Sequence, residues 1–481
     1  MLFPAANNLS MRSRKIRKRK STKPAATPSL RTVLRAFLAA AVFAVLCLTG
    51  CGRPLFTPDS GLDLEIRRGM VSEMKALVRE HYPFDDLKGG GRIEAFEAEL
   101  DAVLVASEAD PGLSDVGFKT GLRRAVSELR DGHTTLSWYP FWFTPGVRFR
   151  YLENGGGGDI YVERRVERNG MPLEPGDRIV SIEGYAAEDL YAEMLNYTYS
   201  SNERSRNQTA ANFIFSAAYR KLGPSEQTSP YHFSVERAGT AIDLEVTLSS
   251  EDTSFVGGAP YAEEITVGGT RAGYIAIPTF RYPGDIDLID RMINRFSDAY
   301  CLILDLRGNG GGNTVAADYL LGRIIPEEPE KYVMKTKDGT VTNRIGPFPR
   351  GEIFTGPVYV LTDFLSFSTA NYFAERVRNA RETGLLPNAV IAGEPTGGGA
   401  AEPVSTALTP ELTFRVSREV VYSPEGNTYE TGVVPDIDVA AELTPADLVN
   451  GLALTGFPAG IVDLEHDLTL LKVLEAEGVL P

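Results

Sequence analysis

The chain has 481 residues, 43% of them hydrophobic, which is enough for two or three domains, each with its own core. Its 64 acidic and 49 basic side chains give a formal net charge of −15. A folded body of that sign repels nucleic acid and anionic lipid head groups, so neither is an expected partner.

Residues 1–50 read as a targeting segment. Eight basic residues and no acid lie between Arg12 and Lys23, and the apolar run Ala36 to Gly50 follows. That run is shorter than the about 20 residues a membrane span needs, so it reads as an export signal. The segment holds ten Lys or Arg and no Asp or Glu, and its removal takes the net charge from −15 to about −25. Its ending, Leu48-Thr49-Gly50-Cys51, resembles a bacterial lipobox. The resemblance implies a mature protein that starts at a lipid-modified Cys51, anchored in the cell envelope and facing outside the cytoplasm, on the periplasmic side or the cell surface. An ordinary signal peptide with an incidental Cys51 is the alternative. In a diderm source, Gly52 in place of an aspartate leaves the outer membrane open as a destination. With Cys47 in the signal and Cys51 lipidated, Cys301 in YCLILDL stands alone as a core thiol and no disulfide framework is expected.

Residues 51–60 form a Pro- and Gly-containing tether. Residues 61–145 are predicted to be a helical domain, with Ile93, Phe96, Leu100, Val103 and Leu104 at helical spacing. It closes on the turn-bearing segment LRDGHTTL, Leu129 to Leu136. Residues 146–250 read as strands interrupted by a helical insertion, Ala186 to Lys221. From 251 to 445 short apolar strands (within GYIAIPTF, then Cys301 to Leu306, Val358 to Leu361 and Val390 to Gly393) alternate with helical stretches. This predicts an α/β layer fold with its site at the carboxyl ends of the strands. A helical tail, 446–481, ends the chain.

Ser368 follows a strand and loop and precedes a helix whose Ala370, Phe373, Ala374 and Val377 share one face. Two roles fit a serine there: a helix cap, contributing about 1 kcal/mol, or a nucleophile favoured by the positive helix end. Ser366 is an equally good cap. Upstream, the glycines Gly310 to Gly312 let backbone amides approach a ligand closely, as an oxyanion hole requires. A phosphate loop does not fit, because neither a following Lys-Ser/Thr nor a G-x-G-x-x-G spacing is present. Of the four histidines, His81, His133, His232 and His466, only His133 lies in a glycine turn beside polar residues. Imidazole is the side chain whose ordinary pKa suits a general base. The histidines are scattered and no H-E-x-x-H occurs, so neither a metal nor a cofactor is expected.

The segments LILDLRGNGGGN (302–313), SFSTANYFA (366–374) and GEPT (393–396), in that order, resemble the C-terminal processing (tail-specific) serine peptidases. The resemblance implies an α/β protein with a crotonase- or ClpP-like core, an N-terminal helical cap and a PDZ-like domain, acting on polypeptide substrates. It makes Ser368 the nucleophile and places the oxyanion hole at an amide of Gly310 or Gly311 together with that of Thr369. The lysine that activates the serine in much of that family falls at Gly399 here, and no lysine occurs from Asp338 to Leu471. LRDGHTTL resembles the histidine motif of the tricorn-like branch, in which the histidine precedes the PDZ domain and the serine follows it. That makes His133 the base. YETGVVPDIDV, 429–439, resembles the same branch and implies Glu430 as the orienting carboxylate. Where that branch has a bridging serine beside the histidine, this chain has Gly132 and Thr134. The link from Glu430 to His133 then runs through Thr134, through a water, or not at all. EPGDRIVSIEG, 174–184, and the strands of His232 to Leu248 resemble a PDZ domain, without a clear carboxylate-binding loop. The family also holds ligand-binding members with decayed sites, so the alternative is an inactive, membrane-anchored lipoprotein that binds peptides or apolar ligands. An esterase fits less well, for want of a G-x-S-x-G elbow.

Overall fold

A computed structural model describes residues 61–476 apart from 111, 138–145, 155–156, 166–170, 223–226, 228–229, 248–258, 268–269, 328–330, 346–350 and 455–461. The signal, the tether and Cys51 lie outside the described residues. The chain opens with helices α1 (Leu64–His81), α2 (Arg92–Ala109) and α3 (Asp115–Glu128). Asp63 and Ser114 cap the first and third of these with side-chain oxygens, each satisfying a free amide of the first turn. Strand β1 (Thr135–Ser137) follows.

Next come β2 (Val147–Glu153), β3 (Gly158–Arg165), β4 (Arg178–Ile182) and β5 (Tyr185–Ala186), then α4 (Ala187–Leu195), α5 (Glu203–Asn212) and α6 (Ile214–Lys221), then β6 (Tyr231–Arg237) and β7 (Thr240–Val246). The strands form an antiparallel sheet in the order β2-β3-β4-β6-β7, with β5 on β4. The three helices fall between β5 and β6, and α5 packs back on β2.

The remainder runs β8 (Tyr261–Val267), β9 (Thr270–Ala276), α7 (Ile286–Arg295), β10 (Cys301–Asp305), α8 (Thr314–Leu321), β11 (Tyr332–Thr336), β12 (Val341–Ile345), β13 (Val358–Thr362), α9 (Thr369–Glu382), β14 (Ala389–Gly393), β15 (Ala401–Thr409), β16 (Leu412–Tyr422), β17 (Ile437–Asp438), α10 (Pro445–Val449) and α11 (Leu468–Ala476). Strands β17-β14-β13-β10-β9 are parallel neighbours, and β8 adds an antiparallel edge. β10 and β13 are buried along their whole length, as expected of parallel strands covered on both faces. Leu302, Leu304, Val358 and Val360 face the core shared with α7, α8 and α9. Cys301, Ile303, Tyr359 and Leu361 face Leu470, Val473 and Leu474 of the C-terminal helix. The loops after β10, β13 and β14 all leave from one edge of this sheet.

A second antiparallel sheet, β1-β16-β11-β12 with β15 on β16, departs from the strand-and-helix alternation expected after residue 251. Residues 401–422 are a long hairpin, not a strand and a helix. Its apolar face is covered by α1 to α3: Phe96 stacks on Phe414, with ring centroids 6.4 Å apart, and Leu136 pairs with Phe414 in register. The N-terminal helices therefore share one core with β16 instead of closing around their own. Among the described residues no helix is long and apolar enough to cross a membrane.

Candidate active site

The turn after β13 is held by its own polar side chains. Asp363 accepts from the amides of Gly308 and Leu365, while Ser366 accepts from the Asp363 amide and donates to the Leu306 carbonyl at 2.8 Å. Ser366 is thus spent on pinning the loop and does not cap α9. Ser368 occupies the cap position, yet its side chain makes no cap hydrogen bond, and its backbone sits at φ +56°, ψ −117°. A left-handed conformation in a non-glycine residue costs on the order of 1–3 kcal/mol and persists only where its surroundings enforce it. Here the Ser368 amide donates to Gly398 O at 3.0 Å, and its carbonyl accepts from Tyr372 at 2.8 Å. The hydroxyl is turned away from the helix amides and lies 2.8 Å from Nε2 of His133.

The glycine turn after β10 packs directly against this serine. A Cβ on Gly311 would stand 2.7 Å from Ser368 Cβ and 3.0 Å from the Thr369 amide nitrogen, so only glycine fits. The two glycine amides differ. Gly311 donates to the side chain of Asn309 at 2.8 Å, whereas Gly310, exposed with open space above it, donates to no acceptor among the described residues. The Thr369 amide is likewise unspent, while its hydroxyl donates to Gly312 O at 2.7 Å. Of these amides, those of Gly310 and Thr369 have no acceptor among the described residues, and Gly311 supplies the close approach.

His133 is buried, and its amide donates to Asp131 at 2.9 Å. Burial is the main force on its ring, holding the pKa down at about 4 against an ordinary 6.5; Asp131 opposes this, and Arg415 and Lys88 reinforce it. The Phe367 ring lies against the imidazole with centroids 4.6 Å apart. This pair leaves no room for a side chain at position 399. Gly399 has φ +85°, and a Cβ there would stand 2.4 Å from the Phe367 ring and 2.9 Å from His133 Cε1. Gly132 is constrained in the same way, since a Cβ would lie 2.7 Å from the same phenyl ring. Gly399→Ala is expected to destabilise the fold by about 1–3 kcal/mol, from φ strain and overpacking. It should also cut peptidase kcat/KM by about 10²-fold by shifting the imidazole. Turnover and urea denaturation check both, and an unchanged kcat/KM would mean that the rings yield.

Glu430 is brought to the site without a hydrogen bond to His133. Its carboxylate accepts from the Ala400 amide at 2.8 Å, from the Lys88 ammonium at 2.9 Å and from Ser201. The route through Thr134 does not form, because that hydroxyl donates to Asp131 Oδ2 at 2.5 Å and accepts from the Ser417 amide. His133 Nδ1 itself is buried without a partner. Burial raises the Glu430 pKa and Lys88 draws it back. Lys88 also donates to the Arg130 carbonyl, and Ser201 accepts from the Gly132 amide at 3.1 Å, so both neighbours of Glu430 hold the histidine loop. Neither residue was singled out from sequence; Lys88 lies 342 positions from its partner, and no local pattern marks it. Lys88→Met is expected to cost about 3–5 kcal/mol, because it strands a buried carboxylate; chemical denaturation measures it, and a loss under about 1 kcal/mol would contradict the buried pair.

The other histidines stand apart: His81 ends α1, His232 lies in β6, and His466 pairs with Asp463. Among the described residues, no cluster of three or more His, Cys, Asp or Glu could hold a metal ion.

A hydroxyl beside a neutral imidazole, in a turn next to the amides of Gly310 and Thr369, is an arrangement able to run acyl transfer. Residues 271–439 match Peptidase family S41. The fold is similar to that of mature CPAF, with a TM-score of 0.60 at 13% identity over 80% of this chain and 95% of that one. It is similar also to mature CPAF complexed with lactacystin, with a TM-score of 0.57 at 14% identity over 80% and 96%. The match over residues 271–439 supports a serine peptidase of the tail-specific, S41 type, a hydrolase acting on polypeptides.

Proposed function

We propose that Ser368 is the nucleophile and His133 the base of a histidine-type, tricorn-like member of this family. The 2.8 Å approach of His133 Nε2 to the Ser368 hydroxyl carries the reading. Ser368 Oγ attacks the scissile carbonyl carbon as its proton passes to Nε2, and the carbonyl π pair moves onto oxygen, facing the Gly310 and Thr369 amides. The C–N bond then breaks as His133 returns the proton to the leaving nitrogen. Water cleaves the acyl-enzyme by the same steps in reverse. Glu430 acts as a positioning residue: through Lys88, Ser201 and Ala400 it fixes the segments on either side of the imidazole. The inactive binding-protein alternative is not favoured, since decay would not be expected to leave a strained serine, its base and two open amides together.

In the same reading, the sheet of β2 to β7 is a PDZ-like domain with α4 to α6 inserted, and the parallel sheet is a crotonase- or ClpP-like core. The mature chain is anchored in the cell envelope through Cys51. Fluorophosphonate labelling tests the site. Label is expected on wild type and absent from Ser368→Ala and His133→Ala; equal labelling of Ser368→Ala would overturn the assignment. For the anchor, Cys51→Ser is expected to move the protein out of the membrane fraction, and an unchanged distribution would refute it.

A further inference from the structure

A cavity of about 280 Å³ is lined by Phe367, the residue before Ser368, and by Gly310. Tyr199, Thr209 and Phe213, from the helical segment between β5 and β6, form one wall. Phe364, Leu365 and Phe367, from the turn before Ser368, form the other. Gly310 and Gly132 stand at its border, so it adjoins both the unspent oxyanion amide and the histidine loop. No charged side chain lines it, and the Ser205 hydroxyl within it already donates to Phe364 O at 3.2 Å. The Tyr199 wall is braced: the Arg123 guanidinium lies 4.6 Å from its ring centroid, and its hydroxyl donates to Leu136 O.

We propose that this cavity receives the side chain of the residue whose carbonyl Ser368 attacks, that it selects a large apolar side chain, and that Thr209 and Phe213 set its size. The proposal rests on the nucleophile assignment above. With the carbonyl oxygen on the Gly310 and Thr369 amides, the adjoining Cα stands one bond from the reacting carbon, beside Gly310, and its side chain has this space next to it. An apolar cavity of about 150 Å³ takes up benzene, so the volume here accommodates a phenylalanine, leucine or methionine side chain. A lysine or aspartate would lose its hydration and meet no partner. The helices inserted between β5 and β6 thereby become the specificity element of the peptidase.

The test uses the mature protein with fluorogenic peptide pools varied on one side of the scissile bond at a time. Wild type is expected to favour Phe, Leu or Met over Ala on the acyl side by about 10–200-fold, and to reject Lys and Asp. Thr209→Phe should lower kcat/KM for the aromatic and long aliphatic peptides at least tenfold while sparing alanine, and Phe213→Ala should shift the preference toward larger groups. An acyl-side preference unchanged in both, or a change confined to the leaving side, overturns the proposal. Binding of the same peptides to Ser368→Ala separates this claim from the nucleophile reading. Selective binding that Thr209→Phe weakens supports the cavity even if Ser368 proves not to be the nucleophile, and binding indifferent to the apolar residue overturns it.

Discussion

Ser368→Ala should lower peptidase kcat/KM on the order of 10⁴–10⁶-fold, the range in which loss of a serine nucleophile leaves only binding and oxyanion stabilisation. The fold should survive, because the hydroxyl makes no helix cap and, among the described residues, hydrogen-bonds to His133 alone. A companion variant separates chemistry from strain. Ser368 holds φ +56°, a region glycine enters freely, so Ser368→Gly should be as inactive as Ser368→Ala and more stable than it by about 1 kcal/mol in urea denaturation. A Ser368→Ala protein that cleaves peptides at the wild-type rate would remove Ser368 from the mechanism. A Ser368→Gly protein less stable than Ser368→Ala would show that the backbone is not strained there.

His133→Gln should produce a loss nearly as large, since the hydroxyl then has no proton acceptor at Nε2. Its signature lies in pH dependence. Burial holds the His133 pKa at about 4 in the folded chain, against 6.5 when exposed. The neutral, proton-accepting form therefore persists well into acid, and the acid limb of kcat/KM should fall near pH 4 rather than 6.5. Folding stability changes in a different window, above that limb. Between those two values the unfolded chain binds the proton that the folded chain refuses, so folding stability declines as pH drops from about 6.5 to about 4. This one group accounts for about 3 kcal/mol of that decline. His133→Gln should flatten that part of the stability profile. An acid limb near 6.5 in wild type would mean that the ring is more hydrated than its burial indicates.

Much of this site could be read from the chain because its parts sit in short segments with strong local demands. The glycine turn, the serine before an apolar helix face and the histidine in a turn each announce a backbone requirement. His133 and Ser368, 235 positions apart, meet in the structure. The parallel strands were legible for a related reason: fully buried strands such as CLILD and VYVLT have no polar face to confuse their pattern. Where side-chain orientation decides, sequence is silent. Asn309 claims one glycine amide and leaves the other open, and Lys88 and Ser201 reach Glu430 from distant segments. The hairpin of β15 and β16 was missed although Leu412, Phe414 and Val416 alternate, because its cover comes from helices some 300 positions earlier and no local feature announces them.

The Phe367 ring also constrains how this enzyme could change over generations. It fills the room beside both Gly132 and Gly399. A lysine at 399 arriving first would meet the phenyl and imidazole rings, and a serine at 132 would meet the same phenyl ring. Conversion to the lysine-dependent chemistry thus has no single-step path: Phe367 must shrink, and His133 must move or be lost, before the new base can enter. With His133 as the proposed base, such sign epistasis locks the lineage into it, so Phe367, Gly132, His133 and Gly399 should change together among its descendants or not at all.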